Sequence, residues 1–269
     1  MAEGPEYNLE LAKSCGTLAS MTADVVDLHA FYGTGLGKVA RRALRRRVRQ
    51  MWPNLRGETL LGLGYATPLL SQFREEAQRV VAVMPATQGV IRWPRDGRSL
   101  VALAEDTDLP LPDESVDRVL LVHALEFSEH VRPLLREIWR VLASGGRLLV
   151  VVPNRRGIWA RVDRTPFGHG HPYSQGQLAR LLKDNMFVPL QNAGALYVPP
   201  LPLRMMGGSA QAFEKIGARW FPAFAGAVLI EASKQIYAAS AERTVKRRVL
   251  VPMPEPAARG VGRNLRDRG

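Results

Sequence analysis

The sequence predicts an α/β domain in which a mostly parallel sheet carries helices on both faces. Short apolar runs alternate with longer segments of helical periodicity, and this alternation is typical of a parallel sheet. The runs have the length of strands and occupy residues 60–63, 79–84, 100–104, 117–122 and 147–152. Glycine and proline lie between runs and helices, which supports the division.

The segments between the runs have apolar residues at helical spacing. One long segment covers residues 25–52, where Gly33, Gly35 and Gly37 are expected to divide it into two helices and Pro53 to end the second. Further helices are predicted over residues 68–76, 131–142 and 174–184. The first of these has a proline in its first turn, where the missing N–H is harmless.

The last third of the chain predicts an antiparallel edge for the sheet. A strand over residues 186–198, a helix over 205–220 and a strand over 225–233 would complete a seven-stranded sheet. We expect one domain over residues 25–239, after a loosely patterned lead-in over residues 1–24. Residues 240–269 combine proline, glycine and arginine, and we expect this basic tail to be disordered.

Cysteine content and hydropathy restrict the class of protein. Cys15 is the single cysteine, so an intrachain disulfide or a zinc site built from several cysteines is excluded. No apolar run approaches the roughly 20 residues that span a bilayer, and the N-terminal segment lacks a signal-peptide pattern. We therefore expect a cytoplasmic protein without a transmembrane segment, and no motif predicts a metal site.

Basic residues are concentrated in two places. The formal net charge is +12, with one cluster in the segment from Arg41 to Arg49 and another in the tail. Such clusters favour an anionic partner, such as RNA or an acidic protein. Alternatively, the first cluster is the solvated face of an ordinary helix, or it contacts an anionic membrane surface.

A dense group of motifs lies between residues 100 and 154. Residues 109–117 are LPLPDESVD, residues 135–142 are LREIWRVL, and residues 145–148 are GGRL. This arrangement resembles the class I methyltransferases of the type 11 group. The resemblance implies a Rossmann-like methyltransferase fold, S-adenosylmethionine as the cofactor, and a methyl acceptor that the sequence does not identify.

The same resemblance implies a cofactor loop after the first strand, where the family has an acidic residue followed by alternating glycines. Here Gly62 replaces the acidic residue, Gly64 matches the first loop glycine, and Tyr65 and Ala66 follow it. Pro68 stands at the third glycine position. Alternatively, this segment is only a tight turn between a strand and a helix.

Further cofactor contacts are expected at the ends of the next strands. Met84 occupies the position of the acidic residue that accepts hydrogen bonds from the ribose, and a thioether accepts them poorly. Glu105 and Asp106 follow the third strand, where the family places an acidic residue near the adenine. Val122 and His123 end the fourth strand, where family residues line the cofactor.

Three residues are candidates for catalysis, namely His123, His169 and Tyr173. A histidine can act as a base near neutral pH, although a structural role for His123 is equally compatible with the sequence. The loop after the fifth strand contains His169 and Tyr173 and is the predicted place of substrate contacts. Tyr173 alternatively precedes a helix that Ser174 caps.

Two other functions remain open at this stage. The substitutions at Gly62, Ala66, Pro68 and Met84 also suit a catalytically inactive methyltransferase-like protein that binds or assembles with partners. The basic segments suit an RNA methyltransferase. The sequence after the fourth strand is VHAL, which lacks the Asn/Asp-Pro-Pro-Tyr type of motif associated with methylation of base amino groups.

Overall fold

The structure is a computed structural model that describes residues 24–200, residues 214, 217 and 220, and residues 222–235. The strands in chain order are β1 (Thr59–Gly64), β2 (Arg79–Pro85), β3 (Val101–Ala104), β4 (Val116–Val122), β5 (Leu142–Pro153), β6 (Phe187–Ala195) and β7 (Ala227–Lys234). The α-helices of the described part are α1 (Val25–Gly33), α2 (Gly35–Met51), α3 (Thr67–Leu70), α4 (Val131–Val141) and α5 (Gln175–Asp184).

The strands form one seven-stranded sheet in the order β3-β2-β1-β4-β5-β7-β6. The first five strands are parallel to one another, whereas β7 runs antiparallel to both β5 and β6. The predicted Rossmann-like architecture with an antiparallel edge is therefore confirmed. In such a sheet, ligands bind beyond the carboxyl ends of the parallel strands.

Each face of the sheet has its own hydrophobic core. Helices α1 and α2 cover one face, where Leu44 and Val48 of α2 pack in the same cluster as Leu120 of β4. Helices α4 and α5 cover the other face, where Ile138 and Leu182 belong to the second cluster. The burial of both faces explains the continuous apolar character of the central strands.

The predicted division of the first helical segment is confirmed at Thr34. Helix α1 ends at Gly33 and α2 begins at Gly35, with the Thr34 hydroxyl oxygen accepting a hydrogen bond of 3.0 Å from the Gly37 N–H. At Gly37, a Cβ atom would overlap with the Phe31 carbonyl oxygen, because the two helices approach each other closely there. The glycine allows the sharp turn between the helices.

The predicted helix over residues 68–76 is wrong beyond Leu70. Helix α3 covers Thr67–Leu70, and turns follow it. Arg49 of α2 donates a hydrogen bond of 2.7 Å to the Gln72 carbonyl, which a continuing helix would use for its own backbone. Glu76 is also bound outside its own segment, because its carboxylate accepts hydrogen bonds from Leu55 N–H and Arg49. Tertiary contacts thus outweigh the helical pattern of this segment.

Two strands differ clearly from their predicted extents, whereas the boundaries of the others differ by at most two residues. Strand β5 begins at Leu142 rather than at residue 147, since Leu142 pairs with Val116 before a shift in register. Strand β6 is shorter than predicted because Met186 and Leu196, which flank it, have positive φ values of 66° and 63°. Positive φ is incompatible with a continuing strand.

Arg140 of α4 explains the motifs between residues 109 and 142. Its guanidinium donates to the Leu109 and Leu111 carbonyls at 3.0 and 2.9 Å and pairs with the carboxylates of Glu137 and Asp113. The arginine therefore fastens the segment before β4 to the helix after it. These contacts give the motif residues a structural role.

Several sequence predictions lie outside the described residues. They are the lead-in before residue 24, most of the helix predicted over residues 205–220, and the tail over residues 240–269. Among the helices that the structure does describe, none has the length and apolar character required to cross a membrane.

A buried carboxylate connects the antiparallel edge to α2. Glu231 of β7 accepts hydrogen bonds of 2.8 Å from Trp52 Nε1, 3.2 Å from Arg147 and 2.6 Å from Gln191. Its side chain is fully buried, and Arg118 lies at 3.5 Å. The charge is thus kept away from water and is offset by polar groups from α2, β4, β5 and β6.

We predict that Glu231→Ala lowers the free energy of unfolding by about 3 kcal/mol or more, because it leaves buried donors without their carboxylate. Urea denaturation of the purified protein measures this change. Glu129→Ala, at an exposed position after β4, is the matched control and should change stability by less than about 0.5 kcal/mol. Equal effects of the two substitutions would contradict the structural role assigned to Glu231.

Candidate active site

The turn after β1 lies against the end of β4. Gly64 has φ +76°, and a Cβ atom at this position would overlap with the Val122 carbonyl oxygen and lie 2.8 Å from the Ala124 Cβ. Only glycine combines this left-handed conformation with so close an approach. The predicted first loop glycine is therefore required by the packing of two strand ends, whatever else it contacts.

The replacement of the family's acidic residue by Gly62 has a steric cause. An added Cβ at Gly62 would overlap with Leu70 Cδ1 and lie 2.9 Å from the Ala66 Cβ. The apolar side chain of α3 thus fills the space into which a carboxylate would extend. Tyr65 and Ala66, the next two predicted loop residues, are both buried.

The end of β2 is apolar, as its sequence predicts. Met84 is buried in the core on the α1 side, and the Ala86 N–H donates to the Ala104 carbonyl at the end of β3. Acidic side chains follow β3, where Glu105 is exposed and Asp106 is partly buried. Asp106 accepts a 2.8 Å hydrogen bond from the Ser128 hydroxyl, which fixes its carboxylate near the end of β4.

His123 is the residue on which the site converges. It directly follows β4, is buried, and has a positive φ of 51° that turns the chain away from the sheet. Its Nε2 lies 2.9 Å from the Tyr32 hydroxyl of α1, and its Nδ1 lies 3.1 Å from Glu126 Oε1. The Gln88 side-chain amide donates to the His123 carbonyl oxygen. A non-glycine residue in this conformation is stabilised by contacts of this kind.

Glu126 is a buried carboxylate with one oxygen unsatisfied. Oε1 faces His123, whereas Oε2 has no hydrogen-bond partner among the described residues. Burial raises the pKa of Tyr32 far above its ordinary value, and the neighbouring Tyr65 and the Glu126 charge act in the same direction. The Tyr32 hydroxyl therefore keeps its proton at neutral pH and can donate it to His123.

Aromatic rings enclose this hydrogen-bonded chain. Tyr32 and Tyr65 are stacked with ring centroids 5.8 Å apart, and Phe167 contacts the His123 ring edge-on at 4.9 Å. The Tyr65 hydroxyl lies 3.1 Å from His29 Nδ1 on the exposed side of α1. Burial raises the pKa of Tyr65 to about 12, although Arg41 and Arg95 act in the opposite direction.

The loop after β5 brings the other two catalytic candidates to separate positions. His169 is exposed, bonds through Nε2 to the Asp163 carbonyl, and lines a cavity of about 520 Å³ that Phe31 and Thr165 also line. Tyr173 is half-buried, and burial followed by the Glu126 charge raises its pKa. Ser174 caps α5 together with Gln177, as the alternative interpretation of this segment predicts.

The sequence does not reveal three of the residues that meet at His123. Tyr32, Gln88 and Glu126 are buried polar residues from α1, the segment after β2 and the segment after β4. The available signal was weak, since Tyr32 sits in an apolar helical pattern typical of a core residue. A buried tyrosine hydroxyl nevertheless needs a partner, and this requirement could have drawn attention to it.

The basic cluster of α2 is not a uniform surface. Arg49 pairs with Glu76 at 2.6 Å and stacks on Phe73, so it is engaged within the fold. Arg47 bonds to Gln50, and Arg42 and Arg46 are exposed on the outer face. The structure thus distributes the cluster over several directions, and its contact with an RNA or an acidic protein remains a prediction.

Comparisons with known proteins agree with this geometry. The model of a family described as "Methyltransferase domain" matches residues 33–150. A "Probable S-adenosylmethionine-dependent methyltransferase" of Mycobacterium tuberculosis is 33% identical over 200 residues, which cover 68% of this chain and 70% of the relative. A demethylmenaquinone methyltransferase of Corynebacterium efficiens is 29% identical over 133 residues, covering 49% of this chain and 58% of that protein.

Solved structures show the same fold at low sequence identity. The 1,6-didemethyltoxoflavin-N1-methyltransferase of Burkholderia thailandensis, solved with S-adenosylhomocysteine, has a TM-score of 0.52 at 17% identity and covers 87% of this chain and 93% of its own. A methyltransferase of Archaeoglobus fulgidus has a TM-score of 0.52 at 17% identity, with 76% and 96% covered. The chain therefore belongs to the class I S-adenosylmethionine-dependent methyltransferases, whose cofactor is S-adenosylmethionine.

The described residues fit this cofactor, although the distribution of charge differs from the family pattern. S-Adenosylmethionine carries a positive sulfonium and a positive ammonium group. Gly62 and Met84 provide no negative charge at the ends of β1 and β2, but Asp106 follows β3 and the unsatisfied oxygen of Glu126 follows β4. A buried carboxylate with a free oxygen is stabilised by a nearby cation. Acidic side chains are thus present after β3 and β4 but not at the ends of β1 and β2.

We predict that Gly64→Ala destabilises the protein more than Gly57→Ala does. Both glycines have φ near +77°, with no atom near the added Cβ at Gly57 and the Val122 carbonyl oxygen against it at Gly64. The expected losses in the free energy of unfolding are about 1–2 kcal/mol at Gly57 and about 3 kcal/mol or more at Gly64. Urea denaturation of both variants tests this, and equal losses would show that β1 and β4 are not so tightly packed.

Proposed function

We propose that this protein transfers the methyl group of S-adenosylmethionine to an oxygen or nitrogen atom of a small molecule, and that Tyr32, His123 and Glu126 remove the proton which that atom loses. The observation that supports the proposal is the continuous chain of hydrogen bonds from Tyr32 through His123 to Glu126. Tyr32 and Tyr65 both also line a cleft beside the β1 turn.

The cofactor site in this proposal consists of the residues at the strand ends. The backbone of Gly64, Tyr65 and Ala66 would hold the cofactor beside β1, and Met84 would provide an apolar contact at β2. Asp106 and the Val122–His123 end of β4 would complete the site. When bound, the cofactor supplies an electrophilic methyl group, and methyl transfer then depends chiefly on the alignment of the acceptor with that group.

Tyr32 would act as a proton relay rather than as a free base. Its raised pKa keeps the hydroxyl protonated, so it donates to His123 Nε2 and accepts the proton of the acceptor atom. When the acceptor atom takes the methyl group, the proton that this atom loses would pass to Tyr32 Oη. The Tyr32 proton moves to His123 Nε2, and Glu126 stabilises the resulting imidazolium.

The two alternative functions have less support from the described residues. A protein that only bound partners would gain nothing from a buried carboxylate with an unsatisfied oxygen, since such a group lowers stability. The hypothesis of an RNA methyltransferase rests on the basic clusters, and Arg49 of the α2 cluster is engaged with Glu76 within the fold. We therefore favour a small-molecule acceptor.

We predict that Tyr32→Phe lowers kcat by roughly tenfold to a hundredfold while the affinity for S-adenosylhomocysteine changes by less than about twofold. Glu126→Gln should also lower kcat, because the imidazolium loses its carboxylate. Affinity is measured by calorimetric titration. Turnover is measured as release of S-adenosylhomocysteine with a panel of phenols, carboxylic acids, amines and nitrogen heterocycles, and the best acceptor is used for kinetics.

Tyr197→Phe is the matched control, because Tyr197 is a half-buried tyrosine at a different cavity. It should leave kcat within about twofold of the unmodified protein. Unchanged turnover in Tyr32→Phe would refute the relay while leaving methyl transfer intact. Absence of cofactor uptake at millimolar concentration would refute methyl transfer itself.

A further inference from the structure

The cleft beside the β1 turn has an unusual lining. It has a volume of about 320 Å³, near the lower end of the roughly 300–1,000 Å³ typical of small-molecule sites. Tyr32, Tyr65 and Trp93 give it aromatic walls. We call it the arginine cleft, because its lining includes guanidinium groups from two segments, namely Arg41 of α2 and Arg92 and Arg95 of the segment after β2.

No acidic residue is found among the described residues that line the arginine cleft, so its positive charges are not offset within it. Crowding of like charge extends along this flank of α2. The pKa of Arg45 is lowered by its burial and by the neighbouring charges of Arg41 and Arg49. A site of this kind attracts an anion, and guanidinium groups bind carboxylate and phosphate through paired hydrogen bonds.

Groups of opposite charge lie near the two stacked tyrosines. Glu126 acts on Tyr32 as a negative charge, whereas Arg41 and Arg95 act on Tyr65 as positive charges. The two ring centroids are only 5.8 Å apart. An anionic group at this point is therefore drawn toward the arginines, in a cleft that Tyr32 also lines.

We propose that the arginine cleft binds the anionic group, a carboxylate or a phosphate, of the methyl acceptor. The acceptor is thus a small aromatic or planar anion, whose flat part packs against Tyr65 and Trp93. The assignment to the acceptor rests on the methyl-transfer function proposed above. The anionic group is assigned to the acceptor because Tyr32, the outer end of the proton relay, lines the same cleft as the arginines.

Direct binding of simple probes tests this proposal on the full chain. Benzoate, phenyl phosphate and the neutral benzamide are titrated calorimetrically into the protein alone and into the protein saturated with S-adenosylhomocysteine. We expect at least one of the two anions to bind with a Kd below about 1 mM. Benzamide should not bind, and S-adenosylhomocysteine should not displace the anion.

Arginine substitutions test whether the anionic probe binds in the arginine cleft. Arg41→Ala and Arg95→Ala should each weaken binding of the anion by about tenfold or more, because each removes a charged hydrogen-bond donor. Arg42→Ala is the matched control, since it removes the same charge from the exposed face of the same helix. It should change the affinity by less than about twofold. Equal losses in all three variants would mean diffuse attraction and would overturn the proposal.

The remaining outcomes separate the possible sources of the anion. If S-adenosylhomocysteine displaces the probe and loses affinity in Arg41→Ala and Arg95→Ala, the cleft holds the carboxylate of the cofactor and the proposal is overturned. Absence of binding by both anions at 10 mM, about ten times the expected Kd, would also overturn it. Binding of the anion without any binding of S-adenosylhomocysteine would leave an anion site but refute methyl transfer.

Discussion

His123 is held by hydrogen bonds at both ring nitrogens and at its carbonyl oxygen. The attachment of α1 and of the segment after β2 to the end of β4 depends on this arrangement. The bond to Tyr32 attaches α1 to the end of β4, and the bond from Gln88 attaches the segment after β2. The Val25 N–H in turn donates to the Gln88 carbonyl at 2.9 Å, which fixes the start of α1. Loss of the buried imidazole would leave the Tyr32 hydroxyl and the Glu126 carboxylate without this partner, and each such group is costly.

Structural features that depend on a local residue pattern were predicted correctly from the sequence. Features that depend on contacts between segments distant in sequence were not. The strand and the helix within residues 116–142 were predicted to within one residue, because their apolar patterns specify them locally. Helix α3 was predicted to be too long, because Arg49 takes the Gln72 carbonyl from a segment that is remote in sequence. Similarly, Gly64 and His123 were predicted to lie in the site because each follows a predicted strand. Tyr32 was not predicted there, because it contacts His123 from a position 91 residues away in sequence.

The substitutions at Gly62 and Met84 are better understood from the structure than from the family pattern. A missing acidic residue suggests a weakened site when the strands are considered one at a time. The structure shows that Leu70 fills the space beside Gly62 and that acidic side chains are present after β3 and after β4. Charge at strand ends is a shared property of the site, because neighbouring parallel strands direct their carboxyl ends to the same edge.

The placement of charge around the stacked tyrosines also bears on the order of the two ligands. A buried carboxylate next to His123 is unfavourable while its second oxygen lacks a partner, and a cation nearby relieves this. The arginines at the cleft are partly solvated and therefore cost less when no anion is bound. Once a positive charge lies near Glu126, the field drawing an anion into the neighbouring cleft increases, so cationic cofactor and anionic acceptor would favour each other's binding.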